Sequence, residues 1–190
     1  RYQRSLEAHL EETARMLNLA LSLRKSDTKI KEVNTCRYSL CYVYYEQRRS
    51  YDSAVLGEFV ARRYTKDEES DSLPADSAYL AMAAYAQAYN SKGNKDKQTD
   101  IQKVIGISDF IVVTWPGTPK ATEALEMLGQ MYLQIKEYGK AAKKFEKVPV
   151  DSASYLKVQL MLGQTLWEAA IAGYNLPEAE RPPAAKLTEY

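Results

Sequence analysis

The sequence predicts an all-α chain of stacked helix pairs, and three observations predict it. Apolar residues recur at spacings of three and four along most of the 190 residues, the period that gives a helix one apolar face. Short polar or Pro/Gly-bearing breaks interrupt these stretches, so the order reads helix, turn, helix, loop, repeatedly. Leu128-Gly129 returns 34 residues later as Leu162-Gly163, a period expected of repeat architectures.

Residues 1–24 carry Leu6, Leu10, Ala14, Leu17 and Leu21 in one stripe, and Ser26-Asp27-Thr28 breaks the helix. A second helix is expected from Ile30 to Gln47, with Tyr38, Cys41, Tyr42 and Tyr45 on one face and Tyr44 turned outward. Arg48-Arg49-Ser50 reads as a tight turn, and Tyr51 opens a third helix running to Tyr64. Thr65–Pro74 is charged and Ser-rich, a solvated loop. Asp76 or Ser77 is expected to cap a helix that ends near Asn90, before the break at Ser91-Lys92-Gly93-Asn94. The β-branched run within 101–115 would also suit a strand. However, Gly57–Tyr64 echoes Ser108–Trp115 in its acid, Phe, β-branched and final aromatic positions, so 101–115 is read as helix. Trp115-Pro116-Gly117-Thr118-Pro119 is a stop. Helices follow over Ala121–Ile135 and Tyr138–Val148, and Ser152 or Ser154 caps a last long one to Tyr174. Pro177 restarts the chain, for eight or nine helices in all.

Composition narrows the function classes. The 26 basic and 25 acidic residues leave a net charge of +1, so no electrostatic attraction to nucleic acid or an anionic membrane is expected. The longest apolar runs, Leu80–Ala86 and Phe110–Val113, fall far short of the roughly 20 residues that span a bilayer. One His removes most His-based metal sites and catalytic triads, and His9 beside the Leu6/Leu10 stripe reads as a surface or packing residue. Cys36 and Cys41 lie on different faces of one helix and are poor disulfide partners. Fifteen Tyr against three Phe predict seams that reach water at their edges, because each phenol hydroxyl needs a partner. No phosphate-cradling Gly loop or G-x-S-x-G motif occurs, so no cofactor and no enzymatic activity are expected. The chain begins at Arg1 without Met, and Ala184–Tyr190 reads as the opening of an uncompleted helix. The expectation is a segment of a longer protein.

The clearest unit is Leu125-x2-Leu128-Gly129-x2-Tyr132-x5-Tyr138-x2-Ala141-x3-Phe145. Subtracting 87 places Tyr45 under Tyr132, Tyr51 under Tyr138 and Ala54 under Ala141, while Tyr85-Ala86 and Tyr89 match Leu128-Gly129 and Tyr132. A small residue at Ala86, Gly129 or Gly163 lets the helices of a pair approach closely, and the aromatic three residues later fills the groove beside it. One pair cannot bury its stripe alone, so neighbours must stack.

Residues 122–155 resemble the tetratricopeptide repeat (TPR) family at nearly every signature position, including Leu125, Gly129, Tyr132, Ala141 and Phe145. Residues 35–68 and 79–121 match in part, with Tyr42 where a small residue is expected, and 156–190 keep only the first helix. The Trp115–Pro119 joint is similar to the aromatic-Pro-x-Ser-Pro joints of bacterial cell-envelope TPR proteins. The resemblance implies a single right-handed superhelical solenoid over 1–190; the sequence leaves the compartment open between the cytoplasm and a bacterial periplasm or cell envelope. It also implies a concave groove that binds a protein or peptide.

Carried over repeat by repeat, the groove positions are Val43, Glu46 and Gln47, then Gln87 and Asn90. The third repeat contributes Glu123, Glu126, Gln130 and Gln134, and the fourth Lys157, Gln164 and Trp167. A row of carboxamides at Gln87, Gln130 and Gln164 can donate to and accept from an extended backbone, although exposed Gln is also simply a good helix former. Glu123 and Glu126 stand where the family's carboxylate-clamp subgroup has Lys, Arg and Asn, so a neutral-to-basic partner is expected. The same acids could serve hydrolysis or bind a metal, but a solvated helix face is the plainer reading. Trp167 maps to the groove as an anchor for a partner. The alternative is self-association through an exposed terminal repeat.

Overall fold

A computed structural model describes residues 2–65, 72–91, 93 and 96–175, with side chains from Ser5 onward. Among them stand eight helices and no strand: α1 (Tyr2–Ser22), α2 (Ile30–Glu46), α3 (Ser50–Tyr64), α4 (Leu73–Tyr89), α5 (Lys97–Thr114), α6 (Pro119–Gln134), α7 (Tyr138–Phe145) and α8 (Tyr155–Tyr174). The ambiguous β-branched segment is therefore helical. Residues 66–71, most of the expected charged loop, and everything after Asn175 lie outside the described residues.

Three helix starts differ from expectation, two of them with a side-chain cap and one with a proline in its first turn. α4 begins at Leu73, not after Pro74, because proline is accommodated in a first turn; Ser72 Oγ lies 2.9 Å from Asp76 Oδ2. α5 begins at Lys97, with the Asp96 side chain accepting from the Thr99 amide. α6 begins at Pro119, where the Thr118 hydroxyl accepts from the Ala121 amide at 3.2 Å. α8 starts after Ser154 as expected, but neither Ser152 nor Ser154 makes a side-chain cap.

The chain divides into two compact units, Arg1–Trp115 and Pro116–Tyr190. In the first, each of α1 to α4 packs on its successor, and α2 also touches α4. Ala14, Leu40 and Val43 are buried together, with Leu10, Leu17 and Leu21 of α1 packed on them as the stripe predicts. Leu6, assigned to the same stripe, is half-exposed. In the second unit α6 packs on α7 and α7 on α8. There the space a Cβ on Gly129 would need is occupied: it would stand 2.2 Å from Phe145 Cε1. Phe145 and Leu128 are fully buried around this approach.

The α2–α3 and α6–α7 turns are the same structure. Arg48 and Lys136 both adopt φ 60°. In one turn the amides of Arg48 and Arg49 donate to the carbonyls of Tyr45 and Tyr44; in the other those of Lys136 and Glu137 donate to Leu133 and Tyr132. This is the crossed pair of bonds that closes a helix through a left-handed residue. Side chains repeat too. Arg49 lies over the Tyr44 ring and Lys140 over the Tyr132 ring, while the Arg49–Asp52 and Glu137–Lys140 ion pairs sit on the same two positions with charges exchanged.

Arg48 and Lys136 are 88 residues apart, so the register differs by one from that obtained by aligning Tyr45 with Tyr132. In the structural register Cys41, fully buried, is the counterpart of Gly129. The misfit of Tyr42 disappears: Tyr42 is exposed, and Tyr44, expected to face outward, is the half-buried ring packed toward α1 with its hydroxyl 3.2 Å from Asn18 Nδ2.

The Gly57–Tyr64 and Ser108–Trp115 echo is also three-dimensional. Phe59 and Tyr64 meet edge to face at 6.2 Å, as do Phe110 and Trp115 at 5.5 Å. Each Phe ring carries an arginine, Arg37 on Phe59 and Arg62 on Phe110. The tyrosine seams end in hydrogen bonds as their composition predicts. The Tyr51 hydroxyl donates to Asp100 at 2.6 Å, Tyr85 to Glu58 at 2.8 Å, and Arg37 Nη1 donates to the Tyr64 hydroxyl at 3.1 Å.

Candidate functional site

In the first unit the expected groove residues have unequal surroundings. Val43 is buried under α1 and cannot meet a partner. The register explains this correction, because Val43 is the counterpart of buried Met131, whereas Tyr42 is the counterpart of Gln130. Glu46 is exposed and Gln47 half-buried. Both flank a cavity of about 730 Å³ between α1 and the α2–α3 turn, together with Leu6, Leu10 and Arg49. The Gln47 carboxamide oxygen is buried there without a hydrogen-bond partner. Gln87 accepts from Ser50 Oγ at 2.6 Å, so it ties α4 to the start of α3. Asn90 is exposed at the C-cap of α4.

Behind this surface lies a polar seam that the sequence did not single out. Glu58 takes the Tyr85 hydroxyl on one oxygen and Arg62 Nε on the other, at 2.7 Å. Burial and the Glu58 hydrogen bond push the Tyr85 phenol well above its usual range. Tyr51 is pushed up to about 12, chiefly by its hydrogen bond to Asp100. Burial raises both thiols, at Cys41 to about 12; both are free. His9 is exposed, with its Nδ1 against the Ser5 carbonyl.

In the second unit Glu126, Lys157 and Glu123 come together. Glu126 of α6 is 8% exposed, and Lys157 Nζ reaches it from α8 at 3.2 Å. Glu123, one turn earlier and exposed, lines the same cavity. This cavity, about 560 Å³, lies between the first two turns of α6 and the Pro149–Ser154 loop. The loop also contributes Asp151 and Ser152, and the Ser152 hydroxyl is buried without a hydrogen-bond partner. Sequence reading missed these residues because they come from a connection; the only signal was the serine pair taken for caps.

Gln130 is half-buried and Gln134 exposed. Gln164 donates to Glu168 at 3.0 Å, so the three carboxamides of the expected row do not share one environment. Trp167 is 67% exposed. Leu156, Leu160 and Ile171 are exposed on the same helix, and nothing among the described residues lies within 4 Å of where a Gly163 Cβ would stand. Gly163 thus differs from Gly129, although both end the same dipeptide.

Among the described residues no group of three or more His, Cys, Asp or Glu could hold a metal, and no helix is long and apolar enough to cross a membrane. No protein family, curated protein or solved structure matches the chain.

Proposed function

We propose that this chain is a non-catalytic scaffold of TPR-like helix pairs, whose first helices form a concave groove that binds a protein or peptide segment. The observation that carries the reading is the recurrence of one helix-pair design, with the same left-handed turn and a cation over the corresponding tyrosine at α2–α3 and α6–α7. Repeated pairs of this kind set their first helices side by side. The α2–α4 contact and the Lys157–Glu126 bridge from α8 to α6 agree with that order. Exposed Trp167, Gln134 and Gln164 then offer one large ring and several adaptable polar groups.

The test is affinity capture from the source cell's lysate, comparing the native chain with the Gln87→Ala, Gln130→Ala, Gln164→Ala, Trp167→Ala variant. The groove reading expects a partner that the folded variant loses; capture of the same proteins by both moves binding elsewhere.

Self-association is the second reading, favoured by α8. Leu156, Leu160, Trp167 and Ile171 form an apolar face of a kind that monomers rarely leave in water. Mass that rises with concentration, and falls back in Leu160→Glu, would support a second copy stacked on this helix.

A further inference from the structure

We propose that the cavity between the first two turns of α6 and the Pro149–Ser154 loop is a socket for an arginine or lysine side chain of an extended partner segment, with Glu126 as its counter-ion and Lys157 as the resident cation that it displaces. The inference deepens the binding reading above and rests on it.

Charge is the first argument. Glu123, Glu126 and Asp151 contribute three carboxylates to the neighbourhood, and Lys157 is the cation that reaches Glu126. Glu126 is 8% exposed, and a carboxylate withdrawn that far from water needs a positive partner or strong donors. Its partner is not held by burial: the Lys157 side chain is 63% exposed, an ammonium on a long stem reaching in from solvent. Such a group can swing back to water at little cost, so an incoming guanidinium does not have to leave a buried charge unpaired.

Shape is the second argument. The walls are Pro119, Pro149, Gly117 and Ala153, small or rigid groups that lose little side-chain freedom when covered. They would accept the methylene stem of Lys or Arg while its head meets the acids. The Ser152 hydroxyl, buried and unpartnered in the wall, adds an acceptor for a guanidinium N–H. An anionic ligand is disfavoured. The Thr118 hydroxyl already serves the first turn of α6, and the helix dipole fades beyond that turn, whereas Glu126 lies in the second.

The other cavities lack this one-sided chemistry. Beside α3 and α5, Glu58 is already taken by Tyr85 and Arg62. Between α1 and the α2–α3 turn, Glu7, Glu11 and Glu46 alternate with Arg15, Arg48 and Arg49.

The test titrates the full 190-residue chain with acetyl-Ala-Arg-Ala-amide, and with its citrulline twin, following backbone amide resonances at low salt. The proposal expects saturable shifts at Thr122, Glu123 and Ala153, with citrulline binding at least about tenfold more weakly for want of a charge-assisted bond. Glu126→Gln should weaken the arginine peptide by about tenfold. Lys157→Gln should tighten it several-fold, because it removes the competitor; a merely structural Lys157 would not do so. Equal binding of both peptides, absent shifts at these amides, or weaker binding to folded Lys157→Gln would overturn the socket. Shifts confined to Gln130, Gln134 and Trp167 would sink the socket and leave the groove reading standing. Loss of the groove reading is seen separately, in the capture experiment.

Discussion

Gly129→Ala and Gly163→Ala add the same methyl group to helical positions 34 residues apart, and the structure predicts opposite signs. In an unhindered helix interior alanine is better than glycine by about 0.8–1 kcal/mol. At Gly163 nothing among the described residues lies within 4 Å of the new Cβ, so most of that gain should appear. At Gly129 the Cβ would stand 2.2 Å from Phe145 Cε1 and 2.5 Å from Cδ1 and Cζ. Carbon atoms in good contact are about 3.5–4.0 Å apart, so the Phe145 ring or the whole of α7 must retreat by more than an ångström. The ring is fully buried and has no exit to solvent. Overpacking of this kind costs about 1–3 kcal/mol. Three atoms of a fully buried ring are displaced, which puts the cost at the upper end, so with the propensity gain set against it Gly129→Ala should destabilise by about 2 kcal/mol. The assay is urea unfolding followed by far-ultraviolet circular dichroism at constant m. Phe145→Leu in the Gly129→Ala background should recover part of the loss, as expected of residues in contact. A neutral or stabilising Gly129→Ala would refute the close approach of α6 and α7, and a destabilising Gly163→Ala would show that α8 has a neighbour at that point.

Three further outcomes follow from particular groups. Tyr51 and Tyr85 have phenol pKa values raised above the unfolded value near 10; the native state therefore holds those protons longer. Their contribution to stability is complete below pH 10 and is lost as pH climbs towards 12, so an alkaline melting series should steepen in that window, less so in Tyr51→Phe. Cys36 is partly exposed and Cys41 fully buried, with its thiol pushed up to about 12; a thiol reagent at pH 8 should modify Cys36 in the folded chain and Cys41 only after denaturant is added. Lys136 stands at φ 60°, where a side chain is strained and glycine is not, so Lys136→Gly should stabilise by about 0.5 kcal/mol once the extra backbone entropy of glycine is subtracted.

Much of the architecture was legible because it depends on local chemistry. Spacing of three and four along α1, α6 and α7 and the stops at Ser26–Thr28 and Trp115–Pro119 follow from which residues can continue a helix, and the structure places its elements accordingly. The Gly57–Tyr64 and Ser108–Trp115 echo identified a helix where β-branched content pointed to a strand, and the two edge-to-face rings show why: each segment buries one face and packs its own aromatic pair at the end.

Register and site were decided by tertiary structure. Adjacent Tyr44 and Tyr45 both offer a match to Tyr132, and pattern alone cannot choose between them. The choice is made by backbone hydrogen bonds around Arg48 and Lys136, neither of which is the glycine that usually marks a left-handed turn. That one-residue difference buries Val43 and exposes Tyr42, since consecutive positions on a helix point about 100° apart. The acid-lined cavity of the second unit was equally hidden. It joins α6, an irregular connection and a lysine 31 residues beyond Glu126. Helical periodicity carries no information about where such a connection folds back.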